Sequence, residues 1–466
     1  MLKNSGLRYR LKNFKDFDVK GIAYDSRDVQ KDFLFVAKTP EYIEDAIKRG
    51  AKAIVTDREL PYKITQIIAG NPRRFLSRIS KVYYNRPDEK MKVIGITGTN
   101  GKTTTSFLIK SIFDSAGYKT GLIGTIEYLI GDKKIEEGLT TPESLDIYRI
   151  MDKMVKEKVD VCIMEVSSHG LSQCRVEDVD FDVAVLTEIG RDHLDYHKTF
   201  RNYLYAKAKL FKLLEEGKLA VLNKDCEYFD FFKRFVKSKL ITYGRDGDVR
   251  GKIIEMKLNG MKVEIEFKKE KYSFDVNLTG DYNLYNIMAS FCVGAGLNIS
   301  IDKVIEGIRS LKGVRGRFEV IGNVVIDFAH TPDALFNFLS ALRKLNKGKL
   351  VCVFGAGGER DPRKRPLMGK VAEEIADFVI VTSDNPRRED PRKIIKDILK
   401  GMKKENHKVI EDRREAIEYA IKMAGKEDIV AICGKGHEQY QIIGDKKILF
   451  DERKIVESLL KRRGYG

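Results

Sequence analysis

Tryptophan is missing from these 466 residues, and no two of the six cysteines stand in a C-x-x-C spacing. Cys162, Cys174, Cys226, Cys292, Cys352 and Cys433 are scattered singly, several inside apolar runs such as VCVFG and VAICG. That pattern predicts buried free thiols rather than disulfides or a zinc site. No apolar run approaches the ~18 residues of a membrane span, and the opening MLKNSGLRYRLKNF lacks the unbroken apolar stretch of a secretory signal. A cytoplasmic protein without a membrane span is therefore expected. Tandem repeats and low-complexity tracts are absent too, which excludes solenoids and disordered arrays. Charge is plentiful but unevenly signed, with a formal net charge of +17. Lys and Arg are spread along amphipathic segments rather than gathered into a basic block interleaved with aromatics, so direct nucleic-acid binding is not expected. A basic surface suits anionic small substrates such as nucleoside diphosphates and triphosphates.

What is present is alternation. At 42% hydrophobic, 466 residues supply two to four domains with ample core. A first block, residues 1–88, holds the strand-like runs FLFVA and AKAIVTD and ends in the polar NRPDEK. A second, 89–313, alternates TGLIGT, VDVCIMEVS, FDVAVLTEI, GKLAVLN and KLITYG with helical stretches, the signature of a mostly parallel α/β sheet. Within it IIEMKLNGMKVEIEFKKEKYSFDVNL reads as an antiparallel hairpin turning at Asn259-Gly260. A third, 314–466, begins within the linker-like LKGVRGR and resumes the alternation with NVVIDFA, KLVCVFGAGG, DFVIVTSD and DIVAICGKG. The expected architecture is a small N-terminal α/β domain, a central P-loop-type domain and a Rossmann-like α/β third domain. In such sheets ligands gather at the carboxyl ends of the strands.

The most specific motif is GITGTNGKTTT, between the apolar MKVIGIT and the helix-permissive TSFLIKSIF. Five residues rather than four separate Gly95 from Gly101-Lys102-Thr103, so it departs from the strict P-loop spacing. The mechanics carry over all the same. Gly98 and Gly101 let backbone N–H groups close on phosphate oxygens, Lys102 supplies a point charge, and Thr103 offers a hydroxyl to Mg²⁺ at a helix N-terminus. The chain is expected to bind ATP. Glu165 ends the apolar run of MEVSSHGL, where a carboxylate could hold Mg²⁺ against the phosphates. RDHLDYH gathers His193, Asp195 and His197 ahead of Lys207, but no H-E-x-x-H or cysteine completes a zinc set.

Taken in order, GITGTNGKTTT, LTTPES, MEVSSHGLSQCRV, RDHLDYH with AKAKLF, GDYNLYN, GRFEVI with VIDFAHTPDAL, FGAGGERDPRKRPLMG, TSDNPRRED and GKGHEQYQ resemble the Mur ligase family, in its tripeptide-forming branch. The resemblance runs through all three blocks. It implies an ATP-dependent amide ligase of peptidoglycan synthesis that passes the γ-phosphate to the D-glutamate carboxyl of UDP-MurNAc-L-Ala-D-Glu. The amine of an amino acid would then attack the acyl phosphate.

By that resemblance Gly98, Thr99, Asn100, Gly101, Lys102, Thr103 and Thr104 cradle ATP, and Asn286, Arg317 and Asp327 touch its nucleotide. Thr103 and Glu165 hold one Mg²⁺, while His193 and Lys207, carrying a carbamate derived from CO₂, hold a second. Ser26, Thr140, Thr141, Ser167, Gln173 and Arg175 grip the UDP-substrate. Arg360, Asp384, Asn385, Pro386, Arg387, Gly434 and Glu438 hold the added amino acid. The full D-N-P-R at Asp384 to Arg387 points to meso-diaminopimelate, with L-lysine as the alternative. A D-Ala-D-Ala-adding ligase, a folylpolyglutamate-type ligase and a P-loop nucleic-acid ATPase are the remaining readings. A monomer is expected, with the third block swinging about Gly313 to Gly316. One departure stands out: after DFLFVA many relatives carry a glycine-rich turn and a D-G-H, whereas this chain runs straight into KTPEYIEDAIKRG.

Overall fold

The computed structural model describes residues 6–136 and 138–462. Three sheets dominate it. The first has five strands, of which Gly21–Ala23, Phe33–Val36, Ala51–Thr56 and Thr65–Ile68 run parallel, and Arg10–Lys12 pairs antiparallel with the last. The Asn71-capped helix Pro72–Tyr83 covers one face of it with Phe75, Leu76 and Ile79.

The central sheet has eleven strands. Lys92–Thr97 lies in its middle, flanked in parallel by Val161–Glu165 and Val183–Leu186. These runs of Val, Ile and Leu are continuous because both faces are covered. Lys102–Ser115, Asp281–Gly296 and Ile301–Ser310 pack on one face, Ser144–Lys156 and Phe200–Leu213 on the other. After Lys92–Thr97 the chain crosses to Thr120–Ile123 and then returns with Val161–Glu165 between the two, so the strand order reverses beside Thr97. That switch point opens a crevice at the carboxyl ends. Gly307 lets two helices close in, since a Cβ there would lie 2.4 Å from the Ile112 backbone.

The antiparallel decoration is larger than the expected hairpin. Val249–Lys257, Gly260–Phe267 and Glu270–Val276 form a three-stranded meander. The first turn falls on Leu258-Asn259 with Gly260 opening the next strand, and the second is made by Lys268 and Lys269, both at positive φ. Two lysines in a left-handed turn carry no Asn-Gly signal.

The third sheet orders five parallel strands, including Val324–Asp327, Leu350–Phe354, Phe378–Val381 and Ile429–Cys433, with Glu319–Ile321 antiparallel at one edge. The chain enters it through Gly313 and Gly316, both at positive φ. All six cysteines are free thiols; Cys162, Cys292, Cys352 and Cys433 are buried, while Cys174 and Cys226 are partly exposed. No helix among the described residues is long and apolar enough to cross a membrane.

Candidate active site between the central and third sheets

The carboxyl edges of the central and third sheets face each other across a cleft of about 1300 Å³. The strand Lys92–Thr97 delivers the phosphate loop into it. Gly98 (φ 154°) and Gly101 (φ 85°) need their backbone freedom: a Cβ on Gly98 would fall 1.8 Å from Thr187 Oγ1, and one on Gly101 2.4 Å from Asn286 Oδ1. Lys102 then opens a 14-residue helix, and its Nζ donates to the Gly98 and Thr99 carbonyls at 2.9 Å each. Burial lowers its pKa, against the pull of Glu165 and Asp192.

Register places the acid. Ile96 pairs with Glu165, so the carboxylate emerges beside the loop. Thr103 Oγ1 donates to Glu165 Oε2 at 3.0 Å, and Thr125 donates from its N–H and its hydroxyl at 2.9 Å each. Thr99 accepts from the Gly190 N–H, Asn100 Nδ2 donates to Glu188, and Thr104 is buried. Arg317 reaches over from the third block to donate to Thr103 Oγ1 at 3.1 Å while lying 4.5 Å over the Phe328 ring. Asp327, at the end of its strand, accepts from the Phe318 N–H, and burial pushes its carboxyl up to about 6 although Arg317 pulls the other way. Asn286 accepts from Thr105 and donates to Asn283.

His193 stands at φ 54°, at the start of the short helix Leu194–His197, with its Nε2 3.3 Å from Asp192. Burial drives its pKa down to about 3, so the ring is a neutral imidazole at pH 7. Lys207 is 2% exposed, donates to the Gly98 carbonyl at 2.6 Å and lies 4.6 Å over the Tyr203 ring. Burial and the nearby Lys102 charge lower its pKa well below the ordinary lysine range. Among the described residues no three His, Cys, Asp or Glu side chains converge into a closed metal cage. The Thr103 hydroxyl and the Glu165 carboxylate form one open donor pair, and the neutral His193 ring a separate donor, each fitting a cation whose other ligands come from a substrate.

The opposite wall is built from three loops of the third sheet. Asn385 is fully engaged: Oδ1 accepts from Lys435 Nζ at 3.0 Å and from the Ile442 N–H at 2.9 Å, and Nδ2 donates to Glu438 at 2.8 Å. Lys435, fully buried, also donates to Glu438. Asp384 accepts from the Asn385 N–H, and a Cβ on Gly434 would sit 2.6 Å from its Oδ2. After Pro386, Arg387 adopts φ 55°, a left-handed conformation costing about 1 kcal/mol or more for a non-glycine residue. The hairpin Tyr440–Ile443 with Lys446–Leu449 enforces it: Arg387 N–H donates to the Ile442 carbonyl, and the Gly444 N–H donates to Arg387. Arg387 Nη1 donates to Gly358 at 2.6 Å, and its pKa is lowered first by burial and next by the charge of Arg360. Two guanidiniums facing one cleft ask for an anion between them.

Of the residues expected to hold the UDP-substrate, Thr140 and Ser167 line this cleft. Thr141 is buried behind them, donating to the Glu165 carbonyl and accepting from the Ser167 N–H. Arg175 donates to the Thr141 carbonyl at 2.7 Å and to Gln173 Oε1, bringing those side chains together on the side of the first sheet. Ser26 is buried in the turn Ser26–Asp28 and bonded to Asp45.

Sequence reasoning passed over four residues that the structure puts to work. Asp192 sits between the blocks, its carboxyl held down to about 2 by His193, His330 and Lys364 against the effect of burial. Glu188 braces Asn100 from the next strand end. Lys435 pins Asn385, and its place within GKGHE was the signal for it. Fully buried Arg413 donates to Glu452 at 2.6 Å, to the Cys433 carbonyl at 2.8 Å and to the Ser383 carbonyl at 3.4 Å. It thereby ties together the two strand ends that carry the Asp384 and Gly434 loops.

The chain matches the model of the Mur ligase middle domain over residues 96–294 and that of the Mur ligase, glutamate ligase domain over 316–436. It is 43% identical over 472 residues to a UDP-N-acetylmuramoyl-L-alanyl-D-glutamate--2,6-diaminopimelate ligase of Caldanaerobacter subterraneus subsp. tengcongensis, covering 98% of this chain and 97% of that one. A protein of the same name from Aquifex aeolicus is 43% identical over 453 residues, with 95% and 94% covered. A solved structure bearing that name superposes with a TM-score of 0.68 at 31% identity, over 96% of each chain. A Mycobacterium tuberculosis folylpolyglutamate synthase complexed with ADP reaches a TM-score of 0.67 at 18% identity, over 78% of this chain and 92% of that one, a likeness of fold alone.

Proposed function

The chain belongs to the Mur ligase family, and we propose that it is the ATP-dependent ligase that joins meso-diaminopimelate to the D-glutamate γ-carboxyl of UDP-N-acetylmuramoyl-L-alanyl-D-glutamate in peptidoglycan synthesis. The observation that carries this reading is the single cleft with a phosphate loop on one wall and the paired Arg360 and Arg387 on the other. A carboxylate is a poor electrophile until one of its oxygens becomes a leaving group. Phosphoryl transfer is mostly a matter of positioning and charge neutralisation. Residues 98–104 bind the triphosphate, and Lys102 turns from its two loop carbonyls to the phosphate oxygens. Arg317, bonded to Thr103 Oγ1 and stacked on Phe328, brings a second positive charge to the same place. Thr103 and Glu165 would hold one Mg²⁺ and His193 a second, and the ions would supply neutralisation of phosphate charge. The D-glutamate carboxylate oxygen attacks the γ-phosphorus of ATP and ADP leaves, giving the acyl phosphate; the amine then attacks its carbonyl carbon, phosphate leaves, the nitrogen gives up a proton and the amide remains. Closure of the third block on the central one keeps water from that intermediate.

Lys207 takes up CO₂: its buried, neutral amine attacks carbon, loses a proton and becomes a carbamate anion, reversing the sign of a side chain beside Lys102 and the second ion. Arg360 and Arg387 accept the distal carboxylate of diaminopimelate, and Glu438 its ammonium. Leaving those arginines unpaired is costly, so lysine, which lacks that carboxylate, is disfavoured roughly 10²-fold or more. Ser26, Thr140, Thr141, Ser167, Gln173 and Arg175 serve the nucleotide-sugar peptide. Residues 1–88, 89–313 and 314–466 act as the three domains of a cytoplasmic monomer that handles small molecules rather than nucleic acid. Phosphate release measured with each substrate omitted in turn tests the ligase reading. Release requires ATP, the UDP-linked dipeptide and the amino acid together, whereas a DNA-stimulated, amino-acid-independent ATPase contradicts it.

A further inference from the structure

Three cations crowd one carboxylate where the first sheet meets the central one. Glu143, 7% exposed, lies 3.1 Å from Arg73, 3.5 Å from Lys38 and 3.6 Å from Arg175. Burial pushes its carboxyl up, but the three cations prevail and hold it below the ordinary range. Three positive charges less one negative leave a formal excess of two in a partly buried patch. The neighbouring acids do not cancel it: Asp146 takes the Tyr24 hydroxyl at 2.5 Å and Arg149 at 3.2 Å, Glu177 pairs with Arg74, and Asp178 pairs with Arg78. Unbalanced charge removed from water is costly unless an anion completes it.

The topology says where that anion comes from. Tyr24 directly follows Gly21–Ala23, Lys38 stands two residues beyond Phe33–Val36, and Arg73 is in the first turn of the helix after Thr65–Ile68. All three mark the carboxyl edge of the first parallel sheet, the edge at which open α/β sheets take ligands. Facing them, Arg175 is bonded to Thr141, which is bonded to Ser167 at the carboxyl edge of the central sheet. Lys38 Nζ is steadied 4.2 Å above the Tyr24 ring, and it stands where the chain omits the glycine-rich turn and histidine that many relatives carry after FLFVA.

We infer that Lys38 and Arg73, together with Arg175, grip the diphosphate of the nucleotide-sugar substrate, with Glu143 holding the three cations in place until it arrives. The inference rests on the reading that the chain takes UDP-N-acetylmuramoyl-L-alanyl-D-glutamate. It adds the residues that read the substrate's strongest negative charge, and it assigns that work to a pair of side chains that only the folded chain brings to Arg175.

Calorimetric binding of UDP and UMP to the full chain tests it, with the wild type, Lys38→Ala, Arg73→Ala and Lys38→Arg compared. The wild type prefers UDP to UMP, and both alanine variants lose that preference by on the order of tenfold, the worth of one charge-assisted hydrogen bond. In the same variants KM for the UDP-linked dipeptide rises by a similar factor while KM for ATP stays within about twofold, and Lys38→Arg regains most of the UDP preference. Equal weakening of UDP and UMP would mean that the cluster merely bolts the two sheets together, and would overturn the inference. So would unchanged UDP binding with weaker binding of the full substrate, which would give the cations to a peptide carboxylate. A wild type that binds neither UDP nor the UDP-linked dipeptide sinks the functional reading itself, a different failure from variants that bind as the wild type does.

Discussion

Lys207 shows what one residue's surroundings decide. An exposed lysine is a hydrated cation, yet here burial and Lys102 favour the neutral amine, the form that reacts with CO₂. Lys207→Ala is expected to lose nearly all ligase activity, and Lys207→Glu, which restores a carboxylate, to keep a measurable part of it; equal, near-wild-type turnover in both would show that the carbamate is not needed. At the residue scale the geometry of the phosphate loop was legible in the sequence. Gly98, Gly101, Lys102 and Thr103 announce themselves because their placement is local, fixed by one loop and one helix start. Asp192, Lys435 and Arg413 do not, since each acts on groups brought to it from distant strands. Left-handed Arg387 was equally hidden: its φ is imposed by the hairpin after Tyr440, and nothing in D-N-P-R encodes it.

Elements place these residues through strand ends. The continuous apolar runs read as buried parallel strands, and register then sets Glu165 beside the phosphate loop, which spacing along the chain could not reveal. The second turn of the meander escaped because Lys268-Lys269 lacks a turn signature, and its conformation follows from the twist of the strands it joins. In the third sheet, Arg413 and Glu452 are both fully buried at the junction of two strand ends, each the main counter-charge of the other. Removing one partner strands a buried charge, so Arg413→Met alone should destabilise the third domain by about 3–5 kcal/mol in denaturant unfolding, with Arg413→Met plus Glu452→Leu recovering much of that. A double variant as unstable as the sum of the two singles would show that the pair is not coupled.

Across the whole molecule, burial leaves five histidines reluctant to charge: His169 is lowered, His197 and His330 fall to about 4, and His193 and His437 to about 3. Their unfolded values lie near 6.5, so between roughly pH 4 and 6.5 the unfolded chain binds more protons than the native one. Their contribution to stability is present above that window and lost as pH falls through it. Asp327 works the other way, because its folded carboxyl titrates at about 6 rather than 3.8 and the native chain keeps the proton longer. Burial raises the carboxyls of Asp88, Glu188 and Glu452 in the same sense as Asp327, while it lowers the buried amines of Lys102 and Lys207 in the sense of the histidines. The rings and amines are the more numerous, and the melting temperature is expected to fall from pH 7 to pH 5. A melting temperature that holds or rises over that interval would contradict the buried, neutral state of these rings. This behaviour was not legible in the sequence, since an isolated histidine reveals nothing of its burial.

The central claim is that the central and third sheets assemble one cleft whose far wall reads the second carboxylate of diaminopimelate. Comparing kcat/KM for meso-diaminopimelate and L-lysine, in the wild type and in Arg387→Ala, tests it most directly. The account predicts that the wild type favours diaminopimelate by roughly 10²-fold or more and that Arg387→Ala erases most of the difference by losing diaminopimelate rather than gaining lysine. A wild type that prefers L-lysine, with the preference untouched by Arg387→Ala, would contradict it.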